Sequence, residues 1–130
     1  FCKIFHFKSY KIRFKAPAGT IAAKANAAND TLDGGLGVDA LTGGDGNDVY
    51  YVNDTPDAQN NVTQDLVVEG NTTASGIDTV YYTETGGSYT LTDNVENLVM
   101  SGKEGTGNAL GNTITGSNGT SILSGMGGDD

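Results

Sequence analysis

The sequence is poor in the residues that build an ordinary globular core. Only 36% of its 130 residues are hydrophobic, none is tryptophan, and 20 are glycine. Such a composition excludes a helical bundle but suits a repeat fold that stacks thin layers. The one cysteine, Cys2, excludes an internal disulfide. No stretch is long and apolar enough to span a bilayer.

Catalytic motifs are missing as well. The single histidine, His6, excludes a zinc-protease HExxH pair, and neither a GxSxG turn nor a phosphate-binding Walker loop occurs. Cys2 and His6 together are too few ligands for a zinc site. The sequence therefore predicts that the chain is not an enzyme.

Basic residues are scarce and confined to one end. Residues 1–15 hold five of the seven lysines and arginines, whereas all 16 acidic residues follow them in the company of two lysines. An acidic body argues against nucleic-acid binding, because nucleic acid attracts basic surfaces. It fits a protein that binds cations.

Residues 1–24 are predicted to be a basic, irregular segment. Tyr10, Ile12 and Phe14 alternate with cations as in a short strand, while phenylalanines among cations also suit a membrane-surface segment. The favoured interpretation is a truncated or artefactual leader, since the chain does not begin with methionine. It lacks the apolar run of an ordinary signal peptide.

What the sequence does contain is a nine-residue repeat. Residues 34–42 (GGLGVDALT) and 43–51 (GGDGNDVYY) have glycine at positions one, two and four, aspartate at position six and a large apolar residue at position eight. Three glycines in six residues predict a tight turn. The last three residues predict a very short strand with one inward side chain. Two units, 18 residues, would then complete one circuit of a flattened coil.

This geometry stacks the position-six residues in columns, one on each edge of the coil. Asp30, in the degenerate unit 25–33, is expected to face Asp48, which lies 18 residues on. Asp39 belongs to the opposite edge, and its next partner by count is Asp57. Stacked strands are about 4.8 Å apart, and two carboxylates at that distance repel by about 1 kcal/mol even in water.

A calcium ion between the carboxylates would reverse the sign of this interaction, because Ca²⁺ takes six to eight oxygen ligands, main-chain carbonyls included. The pattern G-G-x-G-x-D-x-U-x is itself typical of calcium-binding β-helix repeats. The predicted calcium-binding residues of the first block are three carboxylates and six turn glycines: Asp30, Asp39, Asp48, Gly34, Gly35, Gly37, Gly43, Gly44 and Gly46.

A weaker nine-residue tract ends the sequence, in the units 107–115, 116–124 and 125–130. Its position-six residues are Asn112, Ser121 and Asp130. Asn112 and Asp130 are again 18 residues apart and are the predicted calcium ligands here. An asparagine offers one neutral oxygen, so an ion at this place should be held less tightly.

Between the two tracts the nine-residue spacing disappears and strand signals take over. Strands are predicted at residues 49–52, 65–69, 78–83, 88–92 and 96–100, separated by turn-forming residues. Asp65, Glu69 and Asp78 are either further calcium ligands or, the favoured interpretation, solvated strand residues. The tyrosine pairs at 50–51 and 81–82 either stack on sugars or, as favoured, pack their apolar bodies against the protein and leave their hydroxyls in water.

The order of these blocks resembles that of RTX (repeats-in-toxin, haemolysin-type) calcium-binding proteins, in which such a spacer separates repeat blocks. The likeness covers about residues 25–130, and its spacer part rests on residues 48–52, 65–69, 76–80, 89–91 and 94–98. It implies an all-β fold, a parallel β-roll (β-solenoid) of glycine-rich repeats flanking a β-strand spacer. The implied domains are 1–24 (basic segment), 25–51 (first calcium-binding block), 52–106 (spacer) and 107–130 (degenerate, truncated second block).

The resemblance also implies a function. The expected protein is a Ca²⁺-binding module of a larger secreted bacterial protein, exported unfolded by type I secretion machinery and folded by calcium outside the cell. Low hydrophobicity with high net charge agrees, because it predicts disorder without the ion. Two other contexts stay open: the non-catalytic C-terminal part of a secreted protease or lipase, and a calcium-stiffened adhesin spacer. Membrane or carbohydrate contact has no support beyond the aromatic residues named above.

Overall fold

The computed structural model describes residues 11–13, 22–56, 62–72, 76–117 and 119–130. Within these ranges the chain forms fourteen short strands and no α-helix. A membrane-crossing helix is accordingly not found among them. The strands are β1 Lys11–Arg13, β2 Ala22–Lys24, β3 Thr31–Asp33, β4 Ala40–Thr42, β5 Val49–Val52, β6 Asp54–Pro56, β7 Val62–Gln64, β8 Leu66–Val68, β9 Thr79–Tyr82, β10 Ser88–Thr90, β11 Asn97–Met100, β12 Glu104–Thr106, β13 Thr113–Thr115 and β14 Ile122–Ser124.

The strands form two facing walls of a flattened coil. One wall is a six-stranded sheet with the order β1-β3-β5-β9-β11-β13, and the other consists of two three-stranded sheets, β2-β4-β8 and β10-β12-β14. Neighbours within the walls pair in parallel, whereas β6 and β7 form a separate antiparallel hairpin. The result is a β-solenoid of about 5 turns, which confirms the predicted fold class.

The predicted 18-residue circuit is present in the repeats. Thr31 of β3 lies opposite Val49 of β5, and Ala22 of β2 lies opposite Ala40 of β4. Where the spacer begins, one circuit is longer. It takes 26 residues on one edge, from Asp39 to Asp65, and 30 residues on the other, from Asp48 to Asp78. The β6–β7 hairpin lengthens both circuits, and the long turn at residues 69–78 lengthens the second one further. The inserted residues therefore lie at the edges of the coil, and the strand order of the two walls is not interrupted.

The spacer strands predicted from the sequence are the strands β5, β8, β9, β10 and β11. They extend both walls, so the spacer continues the same solenoid. The short strand expected in the basic segment is present as β1, which pairs with β3. Residues 1–10 and 14–21 lie outside the described ranges.

The core is a stack of inward side chains along the coil axis. The six-stranded wall contributes Leu32, Tyr50, Val80 and Leu98, and the opposite wall contributes Ala23, Leu41 and Val67, all of them buried. The four-residue strands of the spacer add a second inward residue each, namely Val52, Tyr82 and Met100. Most of these strands thus contribute one inward side chain each to the core, and the four-residue strands β5, β9 and β11 contribute two.

The tyrosine pairs divide between the two sides of the sheet. Tyr50 and Tyr82 are 0% and 1% exposed, so their rings pack in the core as predicted. The expectation that their hydroxyls face water was wrong, because the Tyr50 hydroxyl is buried and the Tyr82 hydroxyl donates to Asp54. Tyr51 and Tyr81 lie on the outer face, where their rings stack with centroids 5.2 Å apart. Alternation along a strand sends neighbouring residues to opposite faces, which explains the division.

Removing a core side chain should cost most of the stability of so thin a protein. Leu98→Ala, at a fully buried position in the six-stranded wall, is expected to lower the free energy of unfolding by about 2–5 kcal/mol. Urea unfolding in saturating calcium measures it. The control Leu36→Ala, at a turn residue that is 63% exposed, should change little. Equal losses in the two variants would contradict the assignment of the core.

Candidate metal centre

A column of residues lies along one edge of the coil, at position six of the repeats and at the matching places of the spacer, where the chain enters the strands of the six-stranded wall. We call it the acidic edge. Its members, in order, are Asp30, Asp48, Asp78, Glu96, Asn112 and Asp130. Each of several carboxylates accepts a hydrogen bond from the main chain one circuit earlier. Asp48 Oδ1 accepts from the amide of Asp30 at 2.7 Å, and Asp78 Oδ1 accepts from the amide of Asp48 at 2.8 Å.

The ladder continues at the C-terminal end of the same edge. Glu96 Oε2 accepts from the amide of Asp78 at 2.8 Å, and Asp130 Oδ1 accepts from the amide of Asn112 at 2.8 Å. The predicted pairs Asp30–Asp48 and Asn112–Asp130 therefore do face each other. In each of these carboxylates one oxygen accepts the hydrogen bond that joins the two turns, and the second oxygen is left to bind a ligand.

In the two complete repeats, 34–42 and 43–51, the glycine at position one makes room for the carboxylate at position six. A Cβ added at Gly34 would lie 2.5 Å from Asp39 Oδ2, and one at Gly43 would overlap Asp48 Oδ2. Real Cβ atoms do not come so close to another heavy atom. The requirement at this position is therefore space for an inward-turned carboxylate.

The glycines at positions two and four serve the path of the main chain. Gly44 and Gly46 have φ of 104° and 122°, and Gly35 and Gly37 have φ of 78° and 136°. Side chains are disfavoured in this region. A Cβ at Gly46 would also lie 2.7 Å from the carbonyl carbon of Ala28 in the turn one circuit earlier. These glycines let successive turns stack closely.

Three carboxylates converge on the acidic edge between the repeat turn 43–48 and the long turn 69–78. One oxygen each from Asp48, Glu69 and Asp78 lies within 4.8 Å of the others. Asp48 and Asp78 are 1% and 0% exposed. Asp48 Oδ2, Asp78 Oδ2 and Glu69 Oε1 are buried and accept no hydrogen bond. Buried acceptors of this kind need a partner, which is a hydrogen-bond donor, a proton or a cation.

The electrostatics of the three groups point the same way. Burial raises the pKa of Glu69 to about 8, and the charges of Asp78 and Asp48 raise it as well. Burial likewise raises the pKa of Asp78 to about 7 and that of Asp48 to about 6, against opposing main-chain hydrogen bonds. The three groups thus resist carrying their charges together unless a cation compensates them.

The opposite edge pairs Asp39 with Asp65, and the partner predicted by count, Asp57, was wrong. The amide of Asp39 donates to Asp65 Oδ1 at 2.9 Å, across 26 residues. The β6–β7 hairpin inserted between the two turns shifts the count, and Asp57 lies outside the described residues. Asp65 Oδ2 accepts from the amide of Asn53 at 3.1 Å. Both oxygens of Asp65 are therefore already engaged.

Amide side chains dominate the acidic edge around Asn112. Asn112 Oδ1 accepts from the amide of Asn108 at 2.7 Å, and its Nδ2 donates to the carbonyl of Val95 at 3.0 Å. Asn108 Nδ2 donates to the carbonyls of Thr92 and Val95 at 2.7 and 2.8 Å. The amide hydrogens bind turn carbonyls here, so Asn112 has a hydrogen-bonding role in this turn.

The solvated interpretation was wrong for two of the three spacer acids. Asp65 and Asp78 are 3% and 0% exposed, and Glu69 is partly buried. The missed signal is their place relative to the strands. Asp65 stands directly before β8 and Asp78 directly before β9, as Asp39 and the other repeat aspartates stand before theirs.

The donors at this centre suit calcium. Carboxylate oxygens are hard ligands, and Ca²⁺ accepts several of them at once. The residues of the turns 43–48 and 69–78 that would hold it are Asp48, Glu69 and Asp78. The bound ion would neutralise their charges and bridge the two turns.

Fold and site define a class of protein, a parallel β-solenoid whose edge turns gather carboxylates around cations. Residues 23–54 and 106–130 match the model of the RTX calcium-binding nonapeptide repeat, in four copies. These segments are RTX calcium-binding repeats, a repeat type whose ion is Ca²⁺ and whose β-roll is a structural module. Comparisons with curated proteins and with solved structures found no significant match.

Filling the space at a position-one glycine should disturb the site directly. Gly43→Ala is expected to weaken calcium binding and to lower the free energy of unfolding by about 1–3 kcal/mol, because the new methyl group displaces the carboxylate of Asp48. Calcium titration and urea unfolding measure both effects. The control is Gly86→Ala, whose Cβ meets nothing within 4 Å. Identical behaviour of the two variants would refute the steric argument.

Calcium binding should depend on pH. The folded, ion-free site has pKa values of about 6, 7 and 8, above the ordinary carboxyl value of about 4. The folded state therefore binds more protons than the unfolded chain, and its ion-free stability falls as pH rises from about 4 to about 8. Calcium must displace those protons, so its apparent affinity should rise from pH 6 to pH 8. Isothermal titrations in this range test it, and a pH-independent affinity would contradict it.

Proposed function

We propose that this chain is a calcium-dependent folding module of a secreted protein, exported unfolded through a type I channel and folded by Ca²⁺ outside the cell. The observation that carries the proposal is the cluster of Asp48, Glu69 and Asp78, whose ligand oxygens lie within 4.8 Å of one another. With two of these residues almost wholly buried, the folded state is favoured only when a cation is present.

The remainder of the molecule supplies little stability to offset the repulsion. The walls consist of strands of three or four residues, and the core is one or two side chains wide. The net charge of −9 adds self-repulsion in the compact state. A weak core and crowded carboxylates together make calcium binding and folding a single equilibrium.

The proposed ligands follow the two edges. On the acidic edge they are the carboxylates of Asp30, Asp48, Glu69 and Asp78, with weaker binding at Asn112 and Asp130. On the opposite edge the proposed ligand is Asp39. The glycine turns at positions 34, 35, 37, 43, 44 and 46 supply shape and main-chain carbonyls. In this proposal the chain itself performs no catalysis.

The extracellular setting follows from the affinity that such sites have. Extracellular calcium modules bind with dissociation constants of about 0.1–1 mM, far above the free calcium of a cytosol. The chain would remain unfolded inside the cell and could pass through a secretion channel. Outside, each ion that binds only the folded state stabilises it by RT ln(1 + [L]/Kd).

Circular dichroism with calcium titration tests the proposal. Millimolar Ca²⁺ is expected to convert a disordered spectrum into a β spectrum, whereas equal Mg²⁺ should not, since it demands a compact octahedral shell. Asp48→Asn should raise the calcium concentration at the midpoint, because it removes one charge from the buried cluster. The matched control Asp93→Asn, at an exposed turn residue, should not. A wild-type chain that is equally folded in EDTA would rule the proposal out.

A further inference from the structure

Glu69 occupies the place that the repeats reserve for glycine. In the pairing of β4 with β8, Thr42 lies opposite Val68, so the next residues, Gly43 and Glu69, begin successive turns on the acidic edge. On this edge the units 43–51, 107–115 and 125–130 have glycine there and the unit 25–33 has Ala25, and at Gly43 a Cβ would overlap the carboxylate of Asp48. The spacer thus puts a carboxylate at a place where the repeats have no side chain larger than a methyl group.

Four buried oxygens without a hydrogen-bond partner meet at this junction. Three belong to Asp48, Glu69 and Asp78, and the fourth is the hydroxyl of Tyr50. The Tyr50 hydroxyl lies beside Asp48 Oδ2, since a Cβ on Gly43 would overlap both atoms. Tyr50 comes from the core side of β5 and is 0% exposed. Four buried oxygens without a hydrogen-bond partner, from β5 and the two turns, mark a candidate cation site.

Hydrogen bonds account for several polar groups at the neighbouring junctions. On the opposite edge, both oxygens of Asp65 accept main-chain hydrogen bonds. Farther along the acidic edge, the amides of Asn108 and Asn112 donate to turn carbonyls. At the Glu69 junction, by contrast, three carboxylates each keep a buried oxygen that accepts no hydrogen bond.

The described residues of the turn 69–78 are also hydrogen-bonded to the repeat turn 43–48. The buried amide of Asp48 donates to Asp78 Oδ1 at 2.8 Å. In exposed positions, Thr72 Oγ1 donates to Asp45 at 3.2 Å and the amide of Ile77 donates to Asn47 at 3.0 Å. A cation held by Glu69 together with Asp48 and Asp78 would add a buried link at the start of the turn.

We propose that Glu69 turns the junction of turns 43–48 and 69–78 into a three-carboxylate cation site, distinct from the repeat sites, that fills first and holds the spacer in register with the repeats. The proposal rests on the proposed calcium-dependent folding. Three carboxylates attract a cation more strongly than the two that a repeat–repeat junction offers. Trivalent lanthanides should gain even more from the extra charge.

The test compares two variants that each lose one negative charge. Glu69→Gln keeps the size of the side chain at the site, and Glu104→Gln removes the charge of an exposed residue in β12. Calcium titrations of the full chain are followed by circular dichroism. Terbium titrations are followed by luminescence, which the buried ring of Tyr50 sensitises. Glu69→Gln is expected to raise the calcium midpoint by about tenfold or more and to remove the first, tightest terbium phase, whereas Glu104→Gln leaves both near wild type.

Each result is decisive. If the wild-type chain does not fold with calcium, the proposed function fails and the inference with it. If the wild-type chain folds but Glu69→Gln titrates as Glu104→Gln does, only the inference is overturned. If Glu69→Gln does not fold at any calcium concentration, Glu69→Gly, which installs the residue of the repeats, replaces it. Folding of that variant at the wild-type calcium concentration overturns the inference, and folding only at raised calcium supports it.

Discussion

Like charges stacked one circuit apart are the constraint on which this structure depends. A coil of 18 residues returns the chain to the same edge, so any residue type at a fixed repeat position becomes a column. With aspartate at position six, the column consists of carboxylates, and Asp48 and Asp78 are almost completely buried within it. In the proposed function, a bound cation neutralises that column and so lets the walls and the core form. The same geometry would then couple folding to cation binding.

The same edge shows two ways of meeting this constraint. Near Asp48 and Asp78 the carboxylates converge and keep bare oxygens, which suits an ion. Around Asn108 and Asn112, neutral amides bind the turn carbonyls, which suits hydrogen bonding. Exchanging an acid for an amide at position six thus alters the kind of bond between turns without altering the coil. Along one chain, calcium demand can vary from turn to turn.

Much of this could be predicted from the sequence, because a strict repeat converts spacing into contact. The 18-residue circuit, the pairs Asp30–Asp48 and Asn112–Asp130, and the role of glycine all follow from the nine-residue pattern. The pairing of Asp39 with Asp65 could not be predicted, because the β6–β7 hairpin lies between them and their separation is no longer 18 residues. The sequence offers Glu69 only as an alternative ligand, for a similar reason: ten residues separate β8 from β9 where the repeats have six between strands, and only the pairing of β4 with β8 shows which position Glu69 holds.

The most direct measurement is the location of the ion itself. Anomalous scattering from crystals grown with Ca²⁺, or with Tb³⁺ in its place, would locate bound cations without reference to stability or spectra. The account predicts a strong peak between the turns 43–48 and 69–78, bounded by Asp48, Glu69 and Asp78. An ordered solenoid with these three carboxylates in place and no peak among them would contradict it.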